Sequence, residues 1–252
     1  MKIQFASDIH LEFRRGFMIE PTDSDVIALA GDIGVGMKGM EFAAMQTKIH
    51  KKPVIYIAGN HEYYRYDYDE LSLAMRSYAD TIPLLHFLEN DELIYQGTRI
   101  LGAPLWTDYI GDGSLSQERN MGIINISLND HKLISKKDRH FLPEDALSLH
   151  EESKAWLTKK LDENFDGPTI VITHHAPSLI TQHLDYDYGP MSTGFLSDLD
   201  DLVKKADLWI YGHSHSNIDT MIGKCRLVSN QTGYKHENIP VPFNPSWVID
   251  LT

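Results

Sequence analysis

The sequence predicts an α/β fold built on a parallel sheet, because short apolar strands alternate with helices along its first half. Three stretches are β-branched or apolar on both faces, as in strands covered on both sides: Lys2–Ser7, Val26–Ala30 and Val54–Ala58. Two further segments, Met40–His50 and Asp69–Ala79, are predicted to be connecting helices. Strands that alternate with helices favour a parallel sheet.

The second half adds a hairpin, two helices and four strands. Leu93–Tyr95 and Arg99–Leu105 are predicted to pair around a turn at Gly97. Leu142–Leu161 has proline and acidic residues in its first turn and lysines in its last, which is typical of a helix. Apolar spacing predicts another amphipathic helix, marked by Phe195, Leu199, Leu202 and Val203. The remaining predicted strands are Thr169–Thr173, Leu208–Tyr211, Cys225–Ser229 and Trp247–Leu251.

The segment 107–142 differs from its surroundings. It is polar, lacks clear periodicity and contains three glycines. A connection of this length is often a functional lid or binding loop, so we interpret it as a candidate cap. The 252 residues suit one domain, and we expect residues 1–252 to form it with this cap inserted.

Composition restricts the classes of partner. The formal net charge of -13 argues against a general grip on nucleic acid or on an anionic membrane, which basic patches usually provide. Cys225 is the only cysteine, so an intrachain disulfide is excluded and a reducing compartment is favoured. We see no signal peptide and no apolar run of roughly 20 residues, and we expect a cytoplasmic protein without membrane association. The oligomeric state is not indicated.

Five polar clusters follow predicted strands. They are Asp8-Ile9-His10, Gly31-Asp32, Gly59-Asn60-His61-Glu62, Thr173-His174-His175 and Gly212-His213-Ser214-His215. Taken singly, the Asp and Asn residues are ordinary turn or cap residues, and the histidines are ordinary buried ones. Together, at the ends of strands where ligands collect, they predict a shared metal site. Carboxylate, amide and imidazole ligands suit Mn²⁺, Fe, Zn²⁺, Co²⁺ or Ni²⁺, and we place manganese first.

These clusters resemble, in complete order, the motifs of the calcineurin-like metallophosphoesterase superfamily: D-x-H, G-D, G-N-H-[DE], a later H and G-H-x-H. The resemblance implies a four-layer αββα sandwich of two mixed β-sheets flanked by helices. It also implies two divalent or trivalent metal ions. One ion would be held by Asp8, His10, Asp32 and His215, and the other by Asp32, Asn60, His174 and His213.

The implied reaction is hydrolysis of a small phosphomonoester or phosphodiester. Two ions would clamp the attacking and leaving oxygens, metal-bound hydroxide would be the nucleophile, and Asp32 would be shared by both ions. His61 would face the substrate and protonate the leaving oxygen. The glycines Gly31, Gly59 and Gly212 would permit the tight turns that aim the side chains at one point.

One departure from the superfamily concerns the second motif. The serine/threonine protein phosphatases extend it to G-D-x-x-D-R-G, whereas this chain reads Gly31-Asp32-Ile33-Gly34-Val35-Gly36. The missing acid and arginine argue against phosphoprotein phosphatase activity. Either Glu62 or a residue of the cap is then the candidate support for His61. A weaker resemblance, carried by the segment Gly102–Asp108 among others, is to a bacterial subgroup of small phosphoesterases.

The sequence leaves open the role of two aromatic residues and the choice among three functions. Trp106 and Tyr109 would form either an aromatic wall for a leaving group or part of the core. The alternative functions are a metal-dependent nuclease, against which the low basic content argues, and a non-catalytic scaffold that metal stabilises. The presence of His61, which the metals do not require, argues against the scaffold.

Overall fold

Two mixed β-sheets pack face to face in the computed structural model, which describes residues 1–237, 239 and 241–251. The first sheet contains β1 (Lys2–Ala6), β2 (Val26–Ala30), β3 (Val54–Ile57), β4 (Leu85–Phe87) and β13 (Val248–Asp250). Its strand order is β13-β1-β2-β3-β4, and all pairs are parallel except β1 with β13.

The second sheet is also parallel at its centre and antiparallel at its edges. It contains β5 (Asp91–Tyr95), β6 (Thr98–Ala103), β9 (Thr169–Thr173), β10 (Leu208–Tyr211), β11 (Asp219–Ile222) and β12 (Cys225–Ser229). Its strand order is β11-β12-β10-β9-β6-β5. A separate two-stranded hairpin pairs β7 (Ser135–Lys136) with β8 (Arg139–His140).

Helices cover the outer faces of both sheets. They are α1 (Lys38–His50), α2 (Tyr68–Ala79), α3 (Gln117–Ser127), α4 (Asp130–Leu133), α5 (Pro143–Asp162) and α6 (Asp200–Val203). The predicted α/β class and the four-layer αββα arrangement are therefore confirmed. Within the described part of the chain, no helix has the length and apolar character needed to cross a bilayer.

The strands carry apolar side chains on both faces because both faces are buried. In β2, Val26, Ala28 and Ala30 face the second sheet and belong to the core between the sheets. Ile27 and Leu29 point the other way and pack in the core beneath the outer helices. This alternation follows from the two-residue period of a strand, and it explains why the sequence shows a continuous apolar run there.

The structure differs from the predictions in three places. The segment 107–142 is not irregular throughout, because it contains α3, α4 and the β7–β8 hairpin. The short strands β4 and β11 were not predicted. The helix predicted around residues 195–203 is reduced to the single turn α6, since Ser197 and Leu199 donate their main-chain N–H groups to Ala176 and Pro177 instead.

Candidate metal centre

The five polar clusters lie at the carboxyl ends of parallel strands, where the two sheets meet. Strands β1, β2 and β3 are neighbours in one sheet, and β9 and β10 are neighbours in the other. The backbone turns sharply after these strands. Five of the residues predicted to bind metal have a left-handed backbone with positive φ: Asp8, His10, Asp32, His213 and His215. Non-glycine residues seldom adopt this conformation, and it is concentrated at functional sites.

Two glycines allow the strand ends to approach one another. At Gly31 φ is 87°, and a Cβ there would lie 2.3 Å from the Nδ1 atom of His174. At Gly59 a Cβ would lie 2.2 Å from an Asp32 carboxylate oxygen. A side chain at either position would displace a predicted ligand, so glycine is required at both.

The buried carboxylate of Glu62 ties the ends of β2 and β3 together. It accepts main-chain N–H bonds from Asp32 (3.0 Å), Ile33 (2.7 Å) and Gly59 (2.8 Å), and it also accepts from the Tyr56 hydroxyl (2.8 Å). Burial raises the pKa of Glu62, while these hydrogen bonds oppose the rise. Glu62 therefore shapes the backbone around Asp32. The recorded contacts of its carboxylate do not include His61, so the option that Glu62 supports His61 is not favoured.

One group of potential ligands consists of Asp8, His10 and His215, whose ligand atoms lie within 4.8 Å of one another. The His215 Nε2 atom is 3.3 Å from Asp8 Oδ1 and 3.2 Å from His10 Nε2. Burial lowers the pKa of His215, but its contacts with Asp8 and Glu237 raise it to about 9. This position therefore favours a positive charge, which either a proton or a metal ion supplies.

A second group consists of Asp32, His174 and His213, also within 4.8 Å of one another. The His174 Nδ1 atom lies 2.9 Å from the carbonyl oxygen of Ala30, which can only accept, so Nδ1 carries the proton. The lone pair of His174 Nε2 then faces Asn60 Oδ1 at 3.1 Å and Asp32 Oδ1 at 3.4 Å. Burial lowers the pKa of His174 to about 4, so the ring is neutral at pH 7.

Three acceptor atoms thus face one another in a buried space. Asp32 Oδ1 accepts the main-chain N–H of His61 at 2.8 Å, but no described donor lies between His174 Nε2 and Asn60 Oδ1. The amide of Asn60 has no freedom to turn its NH₂ group inward, because Nδ2 already donates to Asp130 Oδ1 at 2.8 Å. The ring of His213 has its Nε2 atom 3.3 Å from the Gly194 carbonyl, which leaves Nδ1 as the free nitrogen. Histidines with one ring nitrogen hydrogen-bonded to a main-chain carbonyl and the other available are typical of metal sites. The carboxylate, amide and imidazole atoms gathered here suit the predicted metal ions.

His61 is held from both sides at the edge of these groups. Its Nδ1 atom lies 3.1 Å from Glu12 Oε1, and its Nε2 atom lies 3.0 Å from the Tyr234 hydroxyl. The same Glu12 oxygen is 3.2 Å from His10 Nδ1. Burial raises the pKa of Glu12, but the hydrogen bonds from His10 and His61 lower it more, to about 2. Glu12 is thus an ionised carboxylate that orients two imidazoles.

A cavity of about 580 Å³ opens in front of these side chains. Its inner wall includes Asp32, Asn60, His61, His213 and His215. Ser127–Asp130 of the candidate cap supply part of the outer wall, and the segment 182–196, together with Tyr234 and Glu237, supplies most of the rest.

The structure places all seven residues predicted to bind metal, and His61, around this cavity or directly behind it. Of the two alternatives for Trp106 and Tyr109, the structure supports a place in the core, because both rings are buried there and neither residue lines the cavity. His175 is also buried, and its ring stacks on Trp106 with centroids 4.8 Å apart. Glu12 and Tyr234 were not predicted, although Glu12 extends the Asp8-x-His10 spacing by two more residues.

Comparison with known proteins agrees with this geometry. The sequence model of one family, described as calcineurin-like phosphoesterase, matches residues 1–217. The uncharacterized protein L509 of Acanthamoeba polyphaga mimivirus is 26% identical to this chain over an aligned length of 282 residues, gaps included. The alignment covers 99% of this chain and 96% of that one. The crystal structure of phosphopantetheinyl hydrolase (PptH) from Mycobacterium tuberculosis is similar in fold, with a TM-score of 0.70 and 18% identity. The likeness covers 92% of this chain and 89% of that one.

Proposed function

Because this chain belongs to the calcineurin-like phosphoesterase family, we propose that it hydrolyses a small phosphomonoester or phosphodiester with two bound metal ions and with His61 as the proton donor. The observation that carries this proposal is the buried set of facing acceptor atoms, which His174 Nε2, Asn60 Oδ1 and Asp32 Oδ1 exemplify. Such an arrangement is costly unless a positive charge, either a proton or a metal ion, lies between the atoms. Burial and the neighbouring Glu62 and Asp8 carboxylates raise the pKa of Asp32, so this position disfavours an uncompensated negative charge.

We assign the ligands to two ions that share Asp32. The first would be held by Asp8, His10, Asp32 and His215, and the second by Asp32, Asn60, His174 and His213. The orientation of Asp32 supports this assignment, since its Oδ2 atom lies 4.0 Å from His10 Nε2 while its Oδ1 atom lies 3.4 Å from His174 Nε2. Each oxygen therefore faces a different group. Manganese is the first candidate among metals that suit these ligands.

When bound, two such ions supply positive charge for the phosphoryl oxygens and activate the attacking water. His61 then acts on the opposite side of the reacting phosphorus, where the leaving oxygen needs a proton. Glu12 holds the proton of His61 on Nδ1, so the proton that the doubly protonated ring would transfer is the one on Nε2. The Tyr234 hydroxyl contacts the same nitrogen and holds the ring in place.

An alternative role for His61 is that of a ligand, because it also lies near His10 and Asp32 in a possible metal group. Its Nε2 atom is 3.9 Å from Asp32 Oδ2, but it is only 3.0 Å from the Tyr234 hydroxyl. Because the Tyr234 hydroxyl already contacts His61 Nε2, this nitrogen is better suited to exchange a proton than to bind a metal ion. We therefore assign His61 as the general acid.

Nuclease activity is the less favoured reading. The basic residues of the candidate cap do not line the cavity. Two of them are engaged in ion pairs, Lys136 with Asp69 and Arg139 with Asp145. A nucleic-acid channel requires clustered and available basic side chains, so we propose a small phosphoester as the substrate. The single, buried Cys225 is consistent with the cytoplasm as the proposed location.

The test is turnover of p-nitrophenyl phosphate and bis-p-nitrophenyl phosphate by the purified protein with added Mn²⁺. We expect hydrolysis that His61→Ala reduces by about 10²–10⁴-fold, the usual contribution of a general acid. Asp32→Ala should abolish both metal binding and turnover, because it removes the shared ligand. Rates that neither substitution changes would refute the proposal. Metal binding with no turnover on a broad panel of phosphoesters would support the non-catalytic scaffold instead.

A further inference from the structure

Among the described residues, the outer wall of the cavity carries acidic side chains and one histidine, His183. Among the described residues that line it, none is lysine or arginine. Beyond the candidate ligands, three carboxylates contribute to the wall: Asp130, Asp187 and Glu237. Glu237 is paired with His215, and Asp130 accepts hydrogen bonds from Asn60 and Tyr64, so the charge that an incoming group would meet is mainly that of Asp187. A phosphate or carboxylate on the substrate is normally recognised by arginine or lysine. A second anionic group placed here would meet like charges, since the reacting phosphate already occupies the space next to the proposed ions.

Apolar and aromatic side chains occupy much of the same wall. Leu128 comes from the candidate cap, and Tyr186, Met191 and Phe195 come from the segment 182–196. Tyr186 is 65% exposed and Met191 is 40% exposed, so neither is accounted for by packing in the core. The Phe195 ring stacks on His213 with centroids 4.8 Å apart, which places an aromatic face beside a proposed ligand. Apolar surface around a cleft with a few polar groups is characteristic of ligand sites.

His61 determines which part of a substrate meets this wall. Tyr64 packs against one side of its ring, with centroids 4.2 Å apart, and Tyr234 contacts its Nε2 atom. Both tyrosines also line the cavity. Since His61 would protonate the leaving oxygen, the leaving group has to lie among these rings and the apolar wall opposite them.

We infer that the site selects phosphoesters whose leaving group is uncharged and aromatic or apolar, and that it discriminates against substrates with a second anionic group. This inference rests on the proposed function. It assigns Asp187 to the exclusion of anionic leaving groups and Tyr186 to contact with an aromatic ring. Neither residue touches a proposed ligand in the contacts that the structure records.

The charge component is tested with two esters that differ by one charge, 4-(methoxycarbonyl)phenyl phosphate and 4-carboxyphenyl phosphate, in the Mn²⁺-loaded protein. We expect a higher kcat/KM for the uncharged ester. The ratio of the two values should fall by about threefold to tenfold in Asp187→Lys, because the variant replaces a repulsive charge by an attractive one. Comparing ratios between proteins cancels the intrinsic reactivity of the esters. Asp185→Lys is the matched control, since Asp185 is exposed in the same loop but does not line the cavity, and it should leave the ratio unchanged.

The aromatic component is tested by competitive inhibition, which does not depend on the leaving group. Phenylphosphonate should inhibit more strongly than methylphosphonate, and Tyr186→Ala should reduce this preference by about twofold to tenfold, the usual contribution of an aromatic pair. Leu184→Ala is the control, because Leu184 is 79% exposed nearby but lies outside the cavity lining.

The possible failures are distinguishable. If both esters are hydrolysed, but the ratio is the same in wild type, Asp187→Lys and Asp185→Lys, the inferred charge selection is wrong while the proposed function stands. A stronger reaction with 4-carboxyphenyl phosphate in the wild type would likewise overturn it. If neither ester is hydrolysed and bis-p-nitrophenyl phosphate is not hydrolysed either, the proposed function fails, and this inference fails with it. If only bis-p-nitrophenyl phosphate is hydrolysed, the proposed function stands and the inferred selection among monoesters is wrong.

Discussion

Glu12 holds two imidazoles with a single oxygen, and the proposed roles of both depend on it. Its Oε1 atom lies 3.1 Å from His61 Nδ1 and 3.2 Å from His10 Nδ1. A carboxylate can only accept, so it fixes the proton of each ring on Nδ1. This leaves His10 Nε2 free to bind a metal ion and His61 Nε2 free to exchange a proton. Glu12 is accordingly a positioning residue that acts through its neighbours.

We predict that Glu12→Gln lowers kcat for p-nitrophenyl phosphate by about 10–100-fold, the usual effect of removing an outer partner of a metal-site histidine. The substitution keeps the shape of the side chain but removes the charge that orients both rings. KM should change much less, because Glu12 does not contact the substrate in this account. Metal content is measured in parallel, since His10 is also affected.

Glu20→Gln is the matched control, because Glu20 is exposed and only its main-chain oxygen accepts a recorded hydrogen bond, from Gln4. It should leave kcat unchanged. A Glu12→Gln variant with wild-type kcat and full metal content would contradict the positioning role.

The sequence identified motif residues that the structure brings together, but it did not identify the residues that contact them. Asp8, Asn60 and His213 could be named because each lies in a short motif at the end of a strand. Glu12 is only two residues beyond His10, so the pattern Asp8-x-His10-x-Glu12 places a third polar side chain next to the motif. Tyr234 is 173 positions from His61 along the chain, so only the tertiary structure brings the two together.

At the scale of secondary-structure elements, the site depends on how abruptly the backbone turns after each strand. Gly31 follows β2 with φ of 87°, and its missing Cβ makes room for the His174 ring. Asp32 then also adopts a left-handed conformation, and Glu62 stabilises it through the main-chain N–H of Asp32. Gly31, the candidate ligand Asp32 and the buried carboxylate of Glu62 thus form one structural unit.

We predict that Gly31→Ala lowers the free energy of unfolding by about 1–3 kcal/mol, the usual magnitude of such backbone strain, and weakens metal binding. The new Cβ would lie 2.3 Å from His174 Nδ1 and force the ring to move. Urea denaturation measures the stability, and titration of the metal-free protein with Mn²⁺ measures the binding.

Gly122→Ala provides the comparison for this element. Gly122 lies within α3, and a Cβ there would have no other atom within 4 Å. It should therefore stabilise the protein slightly, by up to about 1 kcal/mol. If Gly31→Ala were as stable as Gly122→Ala and bound Mn²⁺ equally well, the close approach of the strand ends would not be essential.

The elements that sequence predicted well are those whose own side chains determine them. The central strands and α5 have continuous apolar runs or clear caps, and their observed ends agree with prediction within a residue or two. By contrast, α3 contains Gly122 and three isoleucines, which favour helix weakly, so packing against the 190–194 turn decides its structure. The helix predicted around residues 195–203 was wrong because its main chain pairs with Ala176 and Pro177.

At the scale of the whole molecule, the candidate metal centre joins the two sheets. Asp8, Asp32 and Asn60 follow strands of the first sheet, whereas His174 and His213 follow strands of the second. Ions bound by both sets would stabilise the packing of one sheet on the other. Because they bind only the folded chain, the stabilisation would extend to regions far from the site.

Cys225 offers a distant reporter of this coupling. It lies in β12, fully buried, and burial raises the pKa of its thiol to about 12. At pH 8 the thiol of the folded protein is therefore almost wholly protonated and inaccessible, so a thiol reagent reacts only after the chain opens. In moderate urea, Mn²⁺ at 100 times its Kd should slow labelling about 100-fold. EDTA should reverse the effect, and a labelling rate that bound metal leaves unchanged would show that the ions do not hold the sheets together.

The four-layer arrangement could be anticipated only through the resemblance of motifs to a family. Periodicity and composition predict strands, helices and a parallel sheet, but they do not state which strands pair. The outer cavity was even less accessible, since it is built from Leu128, Tyr186, Met191 and Phe195, which share no sequence pattern. Its charge and shape are consequences of tertiary structure alone.

The central claim is that the strand ends hold two metal ions that share Asp32. Anomalous diffraction from a crystal soaked with Mn²⁺ tests it most directly. We predict two peaks about 3.5–4 Å apart, with Asp32 between them. Asp8, His10 and His215 should surround one peak, and Asn60, His174 and His213 should surround the other. Peaks elsewhere, or an absence of peaks among these residues at saturating Mn²⁺, would contradict the account.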